Sequence, residues 1–248
     1  MEKRKLILFL FIFISLSSVM FSTDKDLNVV ASTSWTAAFV DIAGVDDVTV
    51  IAPSNLRHPP EYEITVSDVL NITNSDYFVY AGFERMMKTL KDTLTDSKTV
   101  PIQIKCDNSL STVRESSIKI AKELGTEEEC EKRLKKYEET LTCGKEKVTE
   151  CGMAGSKVLC HKHQIYLAKE LGLDVVATFG PGPVSAKDIM NAKNNDYDLI
   201  IDNIHNPVGE PLKEVSDASY VVWRNFPEKV MKDSLITLVT ENVELLLK

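Results

Sequence analysis

The sequence predicts an α/β protein: two parallel-sheet lobes joined by a long bridging helix, with a ligand cleft between the lobes. Three observations predict it. Short apolar runs alternate with helical patterns, four runs ahead of residue 126 and four after residue 154, the order that builds parallel sheets. Between the two sets lies one highly charged stretch, 126–150, in which Leu134, Tyr137, Leu141 and Val148 form a narrow apolar stripe. A narrow stripe suits a helix that bridges two lobes. The segment Val158 to Thr178 reads strand, helix, strand, with His161 and His163 at the first strand-to-helix turn. Open α/β sheets bind ligands beyond the carboxyl ends of their strands, so these histidines fall where a site is expected.

The elements follow in order. Residues 1–23 carry Lys3, Arg4 and Lys5 and then an almost wholly apolar run through Val19. This is the form of a secretory signal, and an uncleaved N-terminal anchor is the alternative. No cysteine follows the run, which argues against a lipid-modified N-terminus. The remaining chain divides into an N-terminal lobe (24–125), a bridging helix (126–154) and a C-terminal lobe (155–248). In the first lobe, strands are predicted at 27–32, 48–52, 77–81 and 99–104. Helices are predicted at 34–42, from Val66 to about residue 74, at 83–94, and from Asn108 or Ser109 to Leu124. Thr65-Val66-Ser67-Asp68 and Ser185-Ala186-Lys187-Asp188 both have the capping-box form, a hydroxyl followed three residues later by an acid. That assigns Asp68 and Asp188 to helix caps. In the second lobe, strands are predicted at 157–160, 174–178, 199–202 and 220–223, and a helix at 233–247 closes the chain. Trp35 and Trp223 read as core.

Composition narrows the function. The formal charge is −8, and without residues 1–23 it is 26 basic against 36 acidic side chains, −10. That argues against nucleic acid, which needs a basic face. Neither Gly-x-x-x-x-Gly-Lys-Ser/Thr nor Gly-x-Gly-x-x-Gly occurs, and Gly180-Pro181-Gly182-Pro183 is too proline-rich to cradle phosphate. Five cysteines follow the leader: Cys106, Cys130, Cys143, Cys151 and Cys160. In an exported chain they can oxidise, and an odd number leaves one over. Cys106 is read as a disulfide partner or an inert thiol, with Cys160 a conceivable mate. A cysteine-dependent enzyme built on Cys160-His161 or Cys106 is the reading of another class.

The four histidines, His58, His161, His163 and His205, all fall in predicted strand-to-helix loops and none on a helix body. If the lobes face each other by their strand ends, these loops line one cleft. Imidazole suits zinc and other first-row metals, and three or four such ligands at ~2.0–2.1 Å make a tetrahedral site. Asp202 and Asp107 are possible carboxylate ligands or partners of the imidazoles. Cys106 could supply a thiolate.

With these residues in view, the chain resembles the zinc/manganese-type solute-binding proteins (cluster A-I) of ABC importers. His58-Pro59-Pro60-Glu61-Tyr62-Glu63-Ile64-Thr65-Val66-Ser67-Asp68 is similar to that family's Asp-Pro-His-x-Tyr-x-x-Thr-Pro-Ser-Asp. His161 through Leu173 resembles its His-x-x-x-x-Tyr-x-Ala-x-x-x-Gly-Leu, with Tyr166, Ala168, Gly172 and Leu173 in register. Phe179-Gly180 through Asp188 resembles the loop and cap that follow. The resemblance implies two α/β lobes on a long helix, a metal site between them, and delivery to a membrane permease with a cytoplasmic ATPase. His161 carries over as a ligand. Pro60 occupies the family's first-lobe histidine position, Ile104-Lys105-Cys106-Asp107 lacks its second histidine, and Trp223-Arg224-Asn225 lacks its final acid. His205 is additional. The expectation is an exported, periplasmic or cell-surface monomer that is not an enzyme. It would bind a divalent transition metal, zinc or else manganese, through His58, His161 and His205, with His163 or Cys106 in reserve. Binding would weaken below about pH 6 as imidazoles protonate. The rival is a two-lobed receptor for an organic ligand or a metal chelate.

Overall fold

The computed structural model describes residues 27–53, 56 and 58–248; the predicted leader lies outside the described residues. Two four-stranded parallel sheets form the two lobes. The first contains β1 (Val29–Ala31), β2 (Thr49–Val50), β3 (Tyr77–Tyr80) and β4 (Val100–Gln103), in the order β2-β1-β3-β4. The second contains β5 (Lys157–His161), β6 (Asp174–Phe179), β7 (Leu199–Asn203) and β8 (Ser219–Trp223), in the order β6-β5-β7-β8. The two orders are one topology used twice. In each lobe the strand order reverses beside the first strand, and there the carboxyl ends leave a crevice.

Helices α1 (Ser34–Ile42), α2 (Val66–Thr73), α3 (Met87–Thr95) and α4 (Leu110–Leu124) cover the first sheet. The capping box at Thr65 forms as expected: its hydroxyl accepts the Asp68 N–H, and the Asp68 carboxylate accepts the Thr65 N–H. Ser109 is the cap of α4, its Oγ accepting the Thr112 N–H at 3.2 Å. The expected helix at 83–94 starts only at Met87. Glu84 is the reason: its buried carboxylate turns back to accept the N–H groups of Ala81 (2.7 Å) and Gly82 (2.6 Å) and the Ser32 hydroxyl (2.5 Å). The chain there is held as a turn, with Gly82 at φ +94°.

Helix α5 (Glu127–Glu150) is the spine. Its 24 residues give about 36 Å of length. Cys130, Arg133, Leu134, Tyr137, Leu141, Gly144 and Val148 are buried along it at helical spacing, so the stripe is wider than the sequence reading had it. The largest apolar core runs from Phe39 and Val79 in the first lobe through Leu134, Tyr137 and Leu141 to Val158, Ile201 and Trp223 in the second. Gly144 allows a close approach of the second lobe to α5: a Cβ there would sit 2.8 Å from Leu171 Cδ2 and 3.0 Å from Val243 Cγ2. Helices α6 (Ile165–Glu170), α7 (Ala186–Asn194), α8 (Glu210–Lys213) and α9 (Ser234–Leu246) complete the second lobe. The Ser185–Asp188 box caps α7 as expected.

Polar groups also join lobes and spine. The buried Arg133 guanidinium reaches Asp41 Oδ1 (2.9 Å), Asp46 (2.9 Å) and Glu129 (3.1 Å). Asp41 Oδ2 accepts the Ser234 N–H at 3.2 Å, capping α9 from across the molecule. Burial raises the Asp41 carboxyl to about 6 against the lowering effects of the Ser234 N–H and Arg133. Among the described residues, no helix is long and apolar enough to cross a membrane.

Candidate functional site

The strand carboxyl ends of the two lobes face a common cleft of about 450 Å³. Its walls come from the segments that follow these strands. Trp35 follows β1, His58, Pro59, Pro60 and Glu61 follow β2, and Phe83 follows β3. From the second lobe come His163 after β5, Pro181 after β6, Asn203, His205 and Asn206 at β7, and Asn225 and Phe226 after β8. Asn108, after β4, ties the floor together. Its Nδ2 donates to Asn225 O (2.9 Å), its Oδ1 accepts from Trp35 Nε1 (3.4 Å), and its own carbonyl accepts the Tyr137 hydroxyl (2.9 Å). One buried amide thus contacts both lobes and the spine.

Three of the four histidines line this cleft: His58, His163 and His205. His205 is the best prepared to act as a ligand. Its Nδ1 lies 2.9 Å from Asn225 Oδ1, which places the ring proton on Nδ1 and leaves a lone pair on Nε2. The ring stacks on Phe226 at 3.6 Å between centroids and 9° between planes. Burial lowers its basicity, so the ring is held neutral, the form a metal requires. His163 keeps part of its ring in solvent, and desolvation of the remainder lowers its basicity too. His58 is exposed and begins the 3₁₀ turn Pro59–Glu61.

His161 sits differently from the expectation. It is the last residue of β5 rather than part of a turn, because the Lys162 N–H continues the ladder to Phe179 O (3.0 Å). Its ring is fully buried, 5.0 Å from that of His163. Nδ1 accepts the His163 N–H at 3.1 Å, so the neutral ring carries its proton on Nε2. That Nε2 has no hydrogen-bond partner and faces Gly180, where a Cβ would lie 2.5 Å away. Burial lowers the imidazole to about 4, with His163 adding to the effect and Asp202 opposing it. In this conformation neither ring nitrogen of His161 presents a lone pair to the cleft.

The carboxylates named from the sequence are committed elsewhere. Asp202 is buried and accepts the N–H groups of Asn203 (2.8 Å) and Gly209 (2.7 Å) and the Tyr220 hydroxyl (2.7 Å). Asp107 accepts from Ser109 and Thr112 at the start of α4. All five cysteines are free, so the conceived Cys106–Cys160 bridge is absent. Burial, with Glu84 and Asp107 nearby, pushes the Cys106 thiol well up, and burial pushes Cys160 up to about 12. Neither is a ready thiolate. Among the described residues, no three His, Cys, Asp or Glu side chains are gathered closely enough to hold a metal ion.

Trp35, read as core, packs against the main core and also lines the cleft, while Trp223 is fully buried as expected. Phe83, Asn225 and Phe226 were missed. The signal for all three was their place directly after a strand.

A scan against protein-family models finds no match, and a search of curated proteins finds none. Solved structures do match across the fold. The SBP FpvC from Pseudomonas aeruginosa in complex with Mn2+ superposes with a TM-score of 0.69 at 16% identity, over 88% of this chain and 95% of that one. The laminin-binding protein Lbp of Streptococcus pyogenes gives 0.65 at 20%, over 88% and 96%. Zn(II)-bound AdcA from Streptococcus pneumoniae gives 0.61 at 19%, over 88% and 56%. The chain shares their fold. The resemblance to zinc/manganese-type solute-binding proteins read from three motifs therefore holds at the level of architecture.

Proposed function

We propose that the chain is an extracytoplasmic binding protein that captures a divalent transition metal, zinc before manganese, for an ABC importer. Its partners in this reading are the importer's permease and cytoplasmic ATPase, and it works as a monomer. Residues 24–125 and 155–248 serve as the two jaws and 126–154 as the strut between them. The metal is cargo, and the chain performs no chemistry on it. The observation that carries the reading is His205, a cleft-lining imidazole whose Nδ1 is tied to Asn225 Oδ1, an arrangement that leaves the ring's lone pair on Nε2. His58 and His163 line the same space and would join His205 as ligands only on closer approach, since no three donors are gathered among the described residues. His161 joins only if the 180–183 loop lifts and its ring proton moves from Nε2 to Nδ1, which must then give up the His163 N–H. Cys106 is left out, because its thiol is held protonated. The fold shared with Mn2+- and Zn(II)-bound structures supports the same cargo class.

The test is calorimetric titration of the purified protein with zinc and with manganese. One site of micromolar affinity or better, weakened at least tenfold in His205→Ala, is expected. No binding tighter than micromolar, whether the metal is offered free or as a chelate, or binding indifferent to that substitution, overturns the reading.

A further inference from the structure

We propose that the metal enters this cleft already chelated, as the neutral complex of a divalent cation with a small, planar, anionic heteroaromatic chelator. The inference rests on the metal-binding reading above and names its cargo more closely. Three observations carry it. The first is donor count. Among the described residues no three His, Cys, Asp or Glu side chains gather to hold an ion, and the carboxylates of Glu84, Asp107 and Asp202 accept hydrogen bonds from their own loops. His205 Nε2 with one or two further imidazoles leaves coordination positions open, which a chelator's own donors would fill.

The second is charge. Imidazoles are neutral donors and the one lining carboxylate, Glu61, is exposed, so a bare divalent cation held by the imidazoles would carry most of its double charge into a cleft otherwise walled by aromatic rings, prolines and amides. Burying an uncompensated charge is costly, and a dianionic chelator cancels it before entry. The third is shape. A bare ion needs no more room than a water or two, about 30 Å³ each. The cleft holds about 450 Å³, within the range of small-molecule sites. Trp35 and the His205–Phe226 stack face that space, with Trp35 and Phe226 centroids 5.8 Å apart. Phe83 is 59% exposed at its edge, an apolar surface of no use to a bare ion and well suited to a planar ring.

Native mass spectrometry and calorimetry on the purified full chain test this, with three probes: zinc chloride, pyridine-2,6-dicarboxylate (dipicolinate), and their 1:1 complex. The complex is planar and neutral and leaves zinc positions open for imidazole. The expected result is a 1:1:1 protein–zinc–dipicolinate species, bound at least tenfold more tightly than zinc alone. Phe83→Ala, at an exposed position where folding is safe, is expected to shrink that ratio at least threefold. If zinc binds alone and dipicolinate is not retained, or strips the metal away, the chelate inference falls while the metal reading stands. If zinc is bound neither alone nor as the complex, both fall.

Discussion

Gly180 packs against the buried ring of His161, and a single methyl group tests that contact. At Gly180 φ is +69°, and a Cβ would lie 2.5 Å from Nε2 and 2.6 Å from Cδ2 of His161. Two effects add in Gly180→Ala. Holding an L-residue in the left-handed region costs about 1–2 kcal/mol. Forcing a methyl into a filled interior costs about 1–3 kcal/mol, since the ring is fully buried with the His163 N–H on its other nitrogen. The variant is therefore expected to lose about 2–5 kcal/mol. In the double variant with His161→Ala, the overlap vanishes and only the backbone effect remains. The two substitutions should then fall short of additivity by about 1–3 kcal/mol. Urea unfolding of the four proteins, followed by tryptophan fluorescence and far-ultraviolet circular dichroism, supplies the cycle. Additivity within about 0.5 kcal/mol would mean that the loop does not lie on the ring, and the account of His161 as a covered, non-ligating imidazole would fail.

Other expectations follow from the same structure. His161, lowered to about 4, makes the unfolded chain bind more protons between about pH 4 and 6.5, so its contribution to stability is lost as pH falls through that window, and the lowered basicity of His163 and His205 acts in the same direction. Asp41, raised to about 6, works in the opposite sense: its contribution is full below 3.8 and lost as pH rises through 6, about 3 kcal/mol at most. Asp41→Asn should therefore make the fall in thermal midpoint from pH 6.5 to 4 steeper than in the native chain; an unchanged slope would contradict the assignment. Gly144→Val should cost about 1–3 kcal/mol by wedging α5 away from Leu171 and Val243, read as a lower urea midpoint. Asp202→Ala strands the Asn203 and Gly209 N–H groups and the Tyr220 hydroxyl and should cost about 3–5 kcal/mol, seen in the same unfolding assay. With a thiol reagent at neutral pH, Cys143 and Cys151 should react at once, and Cys130 and Cys160 only on unfolding. Silent Cys143 and Cys151 would point to a bridge.

The architecture was legible because it is written in local patterns. Alternating apolar runs gave eight strands, and two capping boxes marked helix starts at Val66 and Ala186 to the residue. Where long-range bonds decide, local patterns fail. The start of α3 was misplaced because Glu84 turns back toward Ser32, 52 positions away. His161 was read in a turn because nothing local shows that Lys162 extends the ladder to Phe179. The cleft was legible in part for a topological reason. Residues that follow parallel strands collect at one edge, which brought His58, His163 and His205 together from distant segments. Applied to apolar residues as well, the same rule finds Trp35, Phe83 and Phe226, which hydrophobicity alone assigns to a core. Tautomers were beyond reach: that His205 presents a lone pair and His161 does not depends on Asn225 Oδ1 and on the His163 N–H.

The most direct measurement is an anomalous difference map, recorded at the zinc edge, from crystals grown with zinc and, separately, with its dipicolinate complex. A peak in the interlobe cleft at ~2.0–2.1 Å from His205 Nε2 is the expected result in at least one of them. Well-ordered crystals with an empty cleft in both, or zinc found only on the outer surface, would contradict it.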